Sequence, residues 1–92
     1  MIYYIDIDNT ICHTEGNNYT KSRPWPDKIA KVNQLFDEGH KIVYWTSRGN
    51  TSGKDWLSFT EGQLVKWGAK FDEVRTGKPS YDFIIDDKMT TL

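Results

Sequence analysis

The sequence predicts an α/β fold on a mostly parallel, four-stranded sheet with two main helices. Three observations lead there. Ile2 to Ile7 is an apolar, β-branched and aromatic run broken only by Asp6, the pattern of a strand covered on both faces. Ile29, Val32, Leu35 and Phe36 recur at helical spacing, and the apolar run Lys41 to Thr46 follows Gly39 after one connecting residue. Strand, helix and strand joined this closely form the unit of a right-handed parallel crossover.

Each element has a local reason. From Cys12 to Pro24 the chain carries Glu15-Gly16-Asn17-Asn18 and Lys21-Ser22-Arg23, too polar for a core element, so a loop or small hairpin is expected. Pro26 suits a first helical turn, where its missing N–H costs nothing, and Asp27 complements the helix dipole. Gly39 then stops a helix spanning about Pro26 to Glu38. Trp56, Thr60, Leu64 and Trp67 share one side of a second helix that ends near Gly68. Phe71 to Val74 reads as a short, weak third strand, and Phe83-Ile84-Ile85 before Asp86-Asp87 as a strong fourth.

The 92 residues suffice for one domain, 1–92, and exclude a second substrate-binding domain. Thirteen acidic and twelve basic residues give a net charge of -1 without long runs of either sign, which argues against a nucleic-acid partner. Cys12 is the single cysteine, so no internal disulfide forms, and it lacks zinc-site spacing. A cytoplasmic protein with no membrane partner is expected, since Asp6 interrupts the N-terminal apolar run and nowhere do about eighteen apolar residues follow one another. Five residues follow Asp87, too few for a final covering helix, and the apolar surface this leaves predicts self-association as a homo-oligomer.

Ligands of open parallel sheets sit outside the carboxyl ends of the strands. There the sequence gathers Asp6 and Asp8 at the end of the first strand, Thr46 at the end of the second, Lys78 before the fourth, and Asp86 and Asp87 at the end of the fourth. Four carboxylates in one place require a counter-charge. Hard oxygen donors select Mg²⁺, which takes one or two protein carboxylates together with substrate phosphate. A hydroxyl and an ammonium suit phosphate oxygens. The chemistry indicated is Mg²⁺-assisted phosphoryl transfer on a small phosphorylated substrate.

Asp6-Ile7-Asp8-Asn9-Thr10, Thr46, Lys78 within Gly77-Lys78-Pro79, and Asp86-Asp87 resemble, in order, the four motifs of the haloacid dehalogenase (HAD) superfamily. Tyr19 to Pro26, Trp45 to Gly49 and Gly77 to Asp82 further resemble small capless phosphatases of bacterial surface-carbohydrate and phage-associated systems. The resemblance implies a minimal HAD-like Rossmannoid fold with no cap domain. It implies Asp6 as nucleophile, Asp8 as general acid and base, and Thr46 and Lys78 as catalytic partners holding the phosphoryl group. It also implies Mg²⁺ ligation by Asp6, the Asp8 carbonyl and Asp86, with Asp87 direct or through water. Thr10 braces the turn. An aspartate at Asp8 marks the phosphatases of the family and not its dehalogenases. Ser47 and Arg48 beside the phosphate, and Lys21 and Arg23 on the first loop, are the expected substrate contacts, with Tyr19 and Trp25 candidates for stacking on a sugar ring.

The remaining singular residues have plainer readings. His40, at a helix-to-strand junction, is structural; His13 reads as a loop residue; Trp56 and Trp67 read as core. Cys12 reads as a packed apolar residue, because no basic neighbour in sequence lowers its pKa. A phosphomonoester hydrolase working through an aspartyl-phosphate is the expected function, with a sugar phosphate or related metabolite as the expected substrate. A phosphotransferase or mutase would use the same intermediate with an alcohol in place of water. A receiver-like signalling module fits poorly, since receivers carry their phosphoacceptor on a middle strand.

Overall fold

The computed structural model describes residues 1–50 and 52–79, and the expected strand at Phe83 to Ile85, with Asp86 and Asp87, lies outside them. Strand β1 (Ile2–Ile5) is followed by β2 (Cys12–His13), a 3₁₀ turn (Tyr19–Lys21), β3 (Arg23–Pro24), α1 (Pro26–Asp37), β4 (Lys41–Trp45), α2 (Leu57–Lys66) and β5 (Glu73–Arg75). The main sheet of the described residues is parallel, in the order β1-β4-β5. Ile2 faces Lys41 and Ile5 faces Tyr44 across the first pair; Val43 faces Glu73 and Trp45 faces Arg75 across the second. Cys12 to Pro24 closes as a small antiparallel hairpin, with Cys12 opposite Pro24 and His13 opposite Arg23.

Alternation along the strands divides the sheet into two faces. Tyr3, Ile5, Ile42, Tyr44 and Val74 join one cluster with Ile29 and Val32 of α1 and Leu64 of α2, so both helices pack on the same face. The ends of the helices are also tied together. The Asn33 side-chain amide donates to the Gly68 carbonyl at 2.9 Å, Asn33 Oδ1 accepts from Lys70 N–H at 2.8 Å, and Lys70 Nζ meets Asp37 at 2.8 Å. On the other face, Ile2 is 60% exposed and Tyr4 53%. There Tyr4 meets Trp45 edge-on, with Arg75 over its ring.

Four boundaries differ from the sequence reading. Ladder pairing of β1 stops at Ile5, yet Ile7 is fully buried. Its carbonyl accepts N–H bonds from Thr10 and Ile11, both 3.1 Å, so its apolarity serves the turn after the strand. Helix α1 ends at Asp37, where the N–H of Gly39, at φ 94°, reaches back to the Phe36 carbonyl. The third strand is Glu73–Arg75 and not Phe71 to Val74. Phe71 packs its ring edge-on against Tyr44, and Asp72 spends both its N–H and its carboxylate on the backbone of Ile42. Trp56 is the N-cap of α2, one residue before the helix begins.

His40 is structural, its ring edge-on to Tyr3 and its Nδ1 3.2 Å from the Met1 amine. No described helix is long and apolar enough to cross a membrane.

Candidate active site

The carboxyl ends of β1 and β4 bring the first two motifs together. Asp6 follows β1 directly, and its carboxylate, 39% exposed, meets Lys78 Nζ at 3.4 Å. Lys78 gets there because the chain after β5 folds back on Thr46: Thr46 N–H donates to the Arg75 carbonyl at 2.9 Å, and Lys78 N–H to the Thr46 carbonyl at 3.1 Å. Asn50 adds a bond from its side-chain amide to the Lys78 carbonyl. Thr46 is buried, and its hydroxyl oxygen accepts the Arg48 N–H at 3.1 Å. Ser47 is exposed on the same loop.

Asp8 has a denser set of partners. Arg48 forks onto it, Nε to Oδ2 at 3.0 Å and Nη2 to Oδ1 at 2.8 Å. The Thr14 hydroxyl donates to Oδ1 at 2.7 Å and pairs with the Ser22 hydroxyl at 2.6 Å. Oδ1 thus receives two strong donors and Oδ2 one. The Arg48 side chain has no exposure and that of Asp8 22%, so this is a largely desolvated, bidentate ion pair. Arg48 Nη1 then reaches Thr60 Oγ1 at 3.2 Å and Gln63 Oε1 at 2.8 Å. Gln63 returns its amide to the Tyr19 carbonyl at 2.8 Å, and the Tyr19 ring lies 4.7 Å from the guanidinium.

This arrangement corrects the expectation for Arg48. Its guanidinium is committed to Asp8, Thr60 and Gln63 beneath Tyr19, which leaves it no open face for a substrate anion. Tyr19 is half-buried, in contact with Arg48 on one side and edge-on to Trp56 at 5.1 Å. Lys21 and Arg23 lie elsewhere. With His13, Glu15 and Asn18 they line a depression of about 270 Å³ to which Asp6, Asp8, Thr46 and Lys78 contribute nothing. Strand alternation explains the separation: Cys12 and Thr14 turn toward Asp8, while His13 and its cross-strand partner Arg23 turn away. Trp25 is half-buried as the N-cap of α1, its N–H bonded to the Ile11 carbonyl.

Sequence reasoning missed Thr14, Ser22, Thr60 and Gln63. One signal was available: Thr60 is a polar position on the otherwise apolar Trp56, Leu64, Trp67 stripe of α2, and Gln63 stands three residues on.

Burial and the nearby Asp8 charge push the Tyr19 hydroxyl above its ordinary range against the opposing pull of Arg48, which keeps it protonated. Burial also pushes the Cys12 thiol up, consistent with a packed residue and not a nucleophile. Among the described residues no three His, Cys, Asp or Glu side chains gather as a metal cluster. The described part of the expected cation site is the Asp6 carboxylate with the Asp8 carbonyl two residues on. Both are hard oxygen donors of the kind Mg²⁺ accepts.

No protein-family model and no curated protein matches the chain. Among solved structures, the crystal structure of an MCSG target from Vibrio cholerae is similar, with a TM-score of 0.84 at 25% identity over 98% of this chain and 82% of that one.

Proposed function

We propose that this protein is a Mg²⁺-dependent phosphomonoesterase of the HAD type, working through an aspartyl-phosphate on a sugar phosphate or related metabolite. The observation that carries the reading is the convergence at the ends of β1 and β4. Asp6 is paired with Lys78 at 3.4 Å, and the next strand end supplies a buried Thr46.

In this reading an Asp6 oxygen attacks phosphorus in line, and the bond from phosphorus to the leaving oxygen breaks. The departing alcohol takes a proton from Asp8. Water then gives a proton back to Asp8 as it attacks the aspartyl-phosphate, which restores the Asp6 carboxylate and frees inorganic phosphate. Oδ2 of Asp8, with one donor against two on Oδ1, is the oxygen with capacity for that proton. Lys78 offsets charge on the nucleophile and the phosphoryl oxygens, and Thr46 and the N–H of Ser47 hold those oxygens. Mg²⁺, held by Asp6, the Asp8 carbonyl, Asp86 and Asp87, would neutralise phosphoryl charge during transfer. The reading brings with it a fourth strand at Phe83 to Ile85, no cap domain, a cytoplasmic setting and self-association.

The test is turnover of p-nitrophenyl phosphate with and without Mg²⁺, with phosphoenzyme followed by intact-mass spectrometry. Turnover requires Mg²⁺; Asp6→Asn forms no phosphoenzyme; Asp8→Asn slows both steps by about 10²- to 10⁴-fold. Equal phosphoenzyme in Asp6→Asn and the parent protein, or full turnover in excess chelator, overturns the assignment.

A further inference from the structure

Beside Lys78, the loop after β4 and the turn after β5 enclose a cleft of about 170 Å³ lined by Arg48, Gly49, Lys54, Trp56, Thr76 and Gly77, among others. It adjoins the reaction centre through the backbone, since Thr76 and Gly77 lead directly into Lys78. The Asn50 amide fastens the β4 loop to the Lys78 carbonyl.

The loop is built to put a cation there. Gly49 has φ 89°, and a Cβ at that position would collide with the Lys54 carbonyl oxygen, so the chain folds back on itself only because residue 49 is glycine. The Gly53 N–H donates to the Gly49 carbonyl at 2.8 Å, and the Lys54 N–H to the Ser52 hydroxyl at 3.2 Å. Lys54 Nζ then sits over the Trp56 ring, 5.2 Å from its centroid.

Of the neighbouring charges, Asp55 also lines the cleft and its Oδ1 accepts the Leu57 N–H at 3.0 Å, while the Arg48 guanidinium is held by Asp8, Thr60 and Gln63. Among the described residues no carboxylate pairs with Lys54. The Lys54 ammonium lies on the Trp56 face that borders the cleft. The cleft is also smaller than the roughly 300–1,000 Å³ of pockets for drug-sized ligands.

We propose that this cleft seats the alcohol half of the substrate and that Lys54 selects small aliphatic phosphomonoesters whose alcohol half bears a second negative charge, as in acidic sugar phosphates. The proposal rests on the phosphomonoesterase reading and adds the chemical class of substrate to it. A charge-assisted contact of this kind corresponds to about a ten- to hundredfold effect on KM.

Two substrate pairs that differ only by a carboxylate test it: glucuronic acid 1-phosphate against glucose 1-phosphate, and 6-phosphogluconate against sorbitol 6-phosphate. The parent protein prefers the acid of at least one pair by tenfold or more in kcat/KM, mainly through KM. Lys54→Gln removes the preference and Lys54→Arg keeps it. No preference in either pair, or the same preference in Lys54→Gln, overturns the proposal while p-nitrophenyl phosphate turnover leaves the phosphomonoesterase reading standing. Loss of that turnover in the parent protein removes both.

Discussion

Replacing Arg48 by methionine keeps most of the side-chain volume and removes the charge. Four side-chain hydrogen bonds go with it: two to Asp8, one to Thr60 and one to Gln63. Breaking a buried ion pair from one side costs about 3–5 kcal/mol, because the partner stays charged and loses its compensation. Asp8 retains 22% exposure and its Thr14 bond, so water and the hydroxyl recover part of this and the lower end, about 3 kcal/mol, applies. That is a large share of the roughly 5–15 kcal/mol that holds a domain folded. With a urea dependence of about 1.5 kcal/mol/M, suited to a chain of this size, the unfolding midpoint falls by about 2 M. The assay is urea unfolding followed by tryptophan fluorescence for Arg48→Met, Asp8→Asn and the double variant. The double variant removes both charges, so it is less destabilised than the sum of the singles by about 2 kcal/mol or more. A midpoint shift below about 0.5 M for Arg48→Met at unchanged slope, or strict additivity in the cycle, refutes the account of Arg48 as a buried clamp on Asp8.

Two further substitutions probe the scaffold. Tyr44 is fully buried, and its hydroxyl has no hydrogen-bond partner among the described residues, so Tyr44→Phe raises stability by about 1 kcal/mol in urea unfolding. Burial raises the folded-state pKa of both Tyr44 and Cys12 above their ordinary values of 10 and 9, so their contribution is complete below about pH 9 and is lost as pH rises further. The alkaline fall in the unfolding midpoint is correspondingly shallower in Tyr44→Phe; an identical fall contradicts the assignment. Gly49→Ala forces a β-carbon against the Lys54 carbonyl at a left-handed φ, which costs about 2 kcal/mol and lowers Tm by about 10 °C, measured by scanning calorimetry.

The layered architecture was readable because hydrophobic period reports burial directly. Ile29 and Val32 at helical spacing, and Ile42 to Tyr44 as a continuous run, are buried where the pattern placed them. Strand limits were less readable, because an apolar residue can serve a turn as well as a ladder, as Ile7 does, or a ring contact, as Phe71 does. At the site, the pairing of Asp6 with Lys78 and the burial of Thr46 agree with a reading made from strand-end positions. The direction of Arg48 was beyond that reading. Whether a guanidinium faces ligand or protein depends on partners forty and fifteen residues away, Asp8 and Gln63, and no local period encodes them. Lys21 and Arg23, expected as substrate contacts, lie apart from Asp6 and Asp8, because the pleat of the two-residue strands turns Arg23 with His13 to the other side of the hairpin.

The Gln63 amide, holding the Tyr19 carbonyl with one end and Arg48 with the other, determines how the first loop breathes. Lifting the 19–21 turn away from α2 would strip an aromatic ring from a guanidinium and break a part-buried hydrogen bond in the same motion. Fluctuations of that segment are therefore coupled to those of the helix, and the loop and α2 open as one cooperative unit. Displacing the 19–21 turn therefore also disturbs the guanidinium that clamps Asp8, which ties the position of the first loop to the setting of that carboxylate.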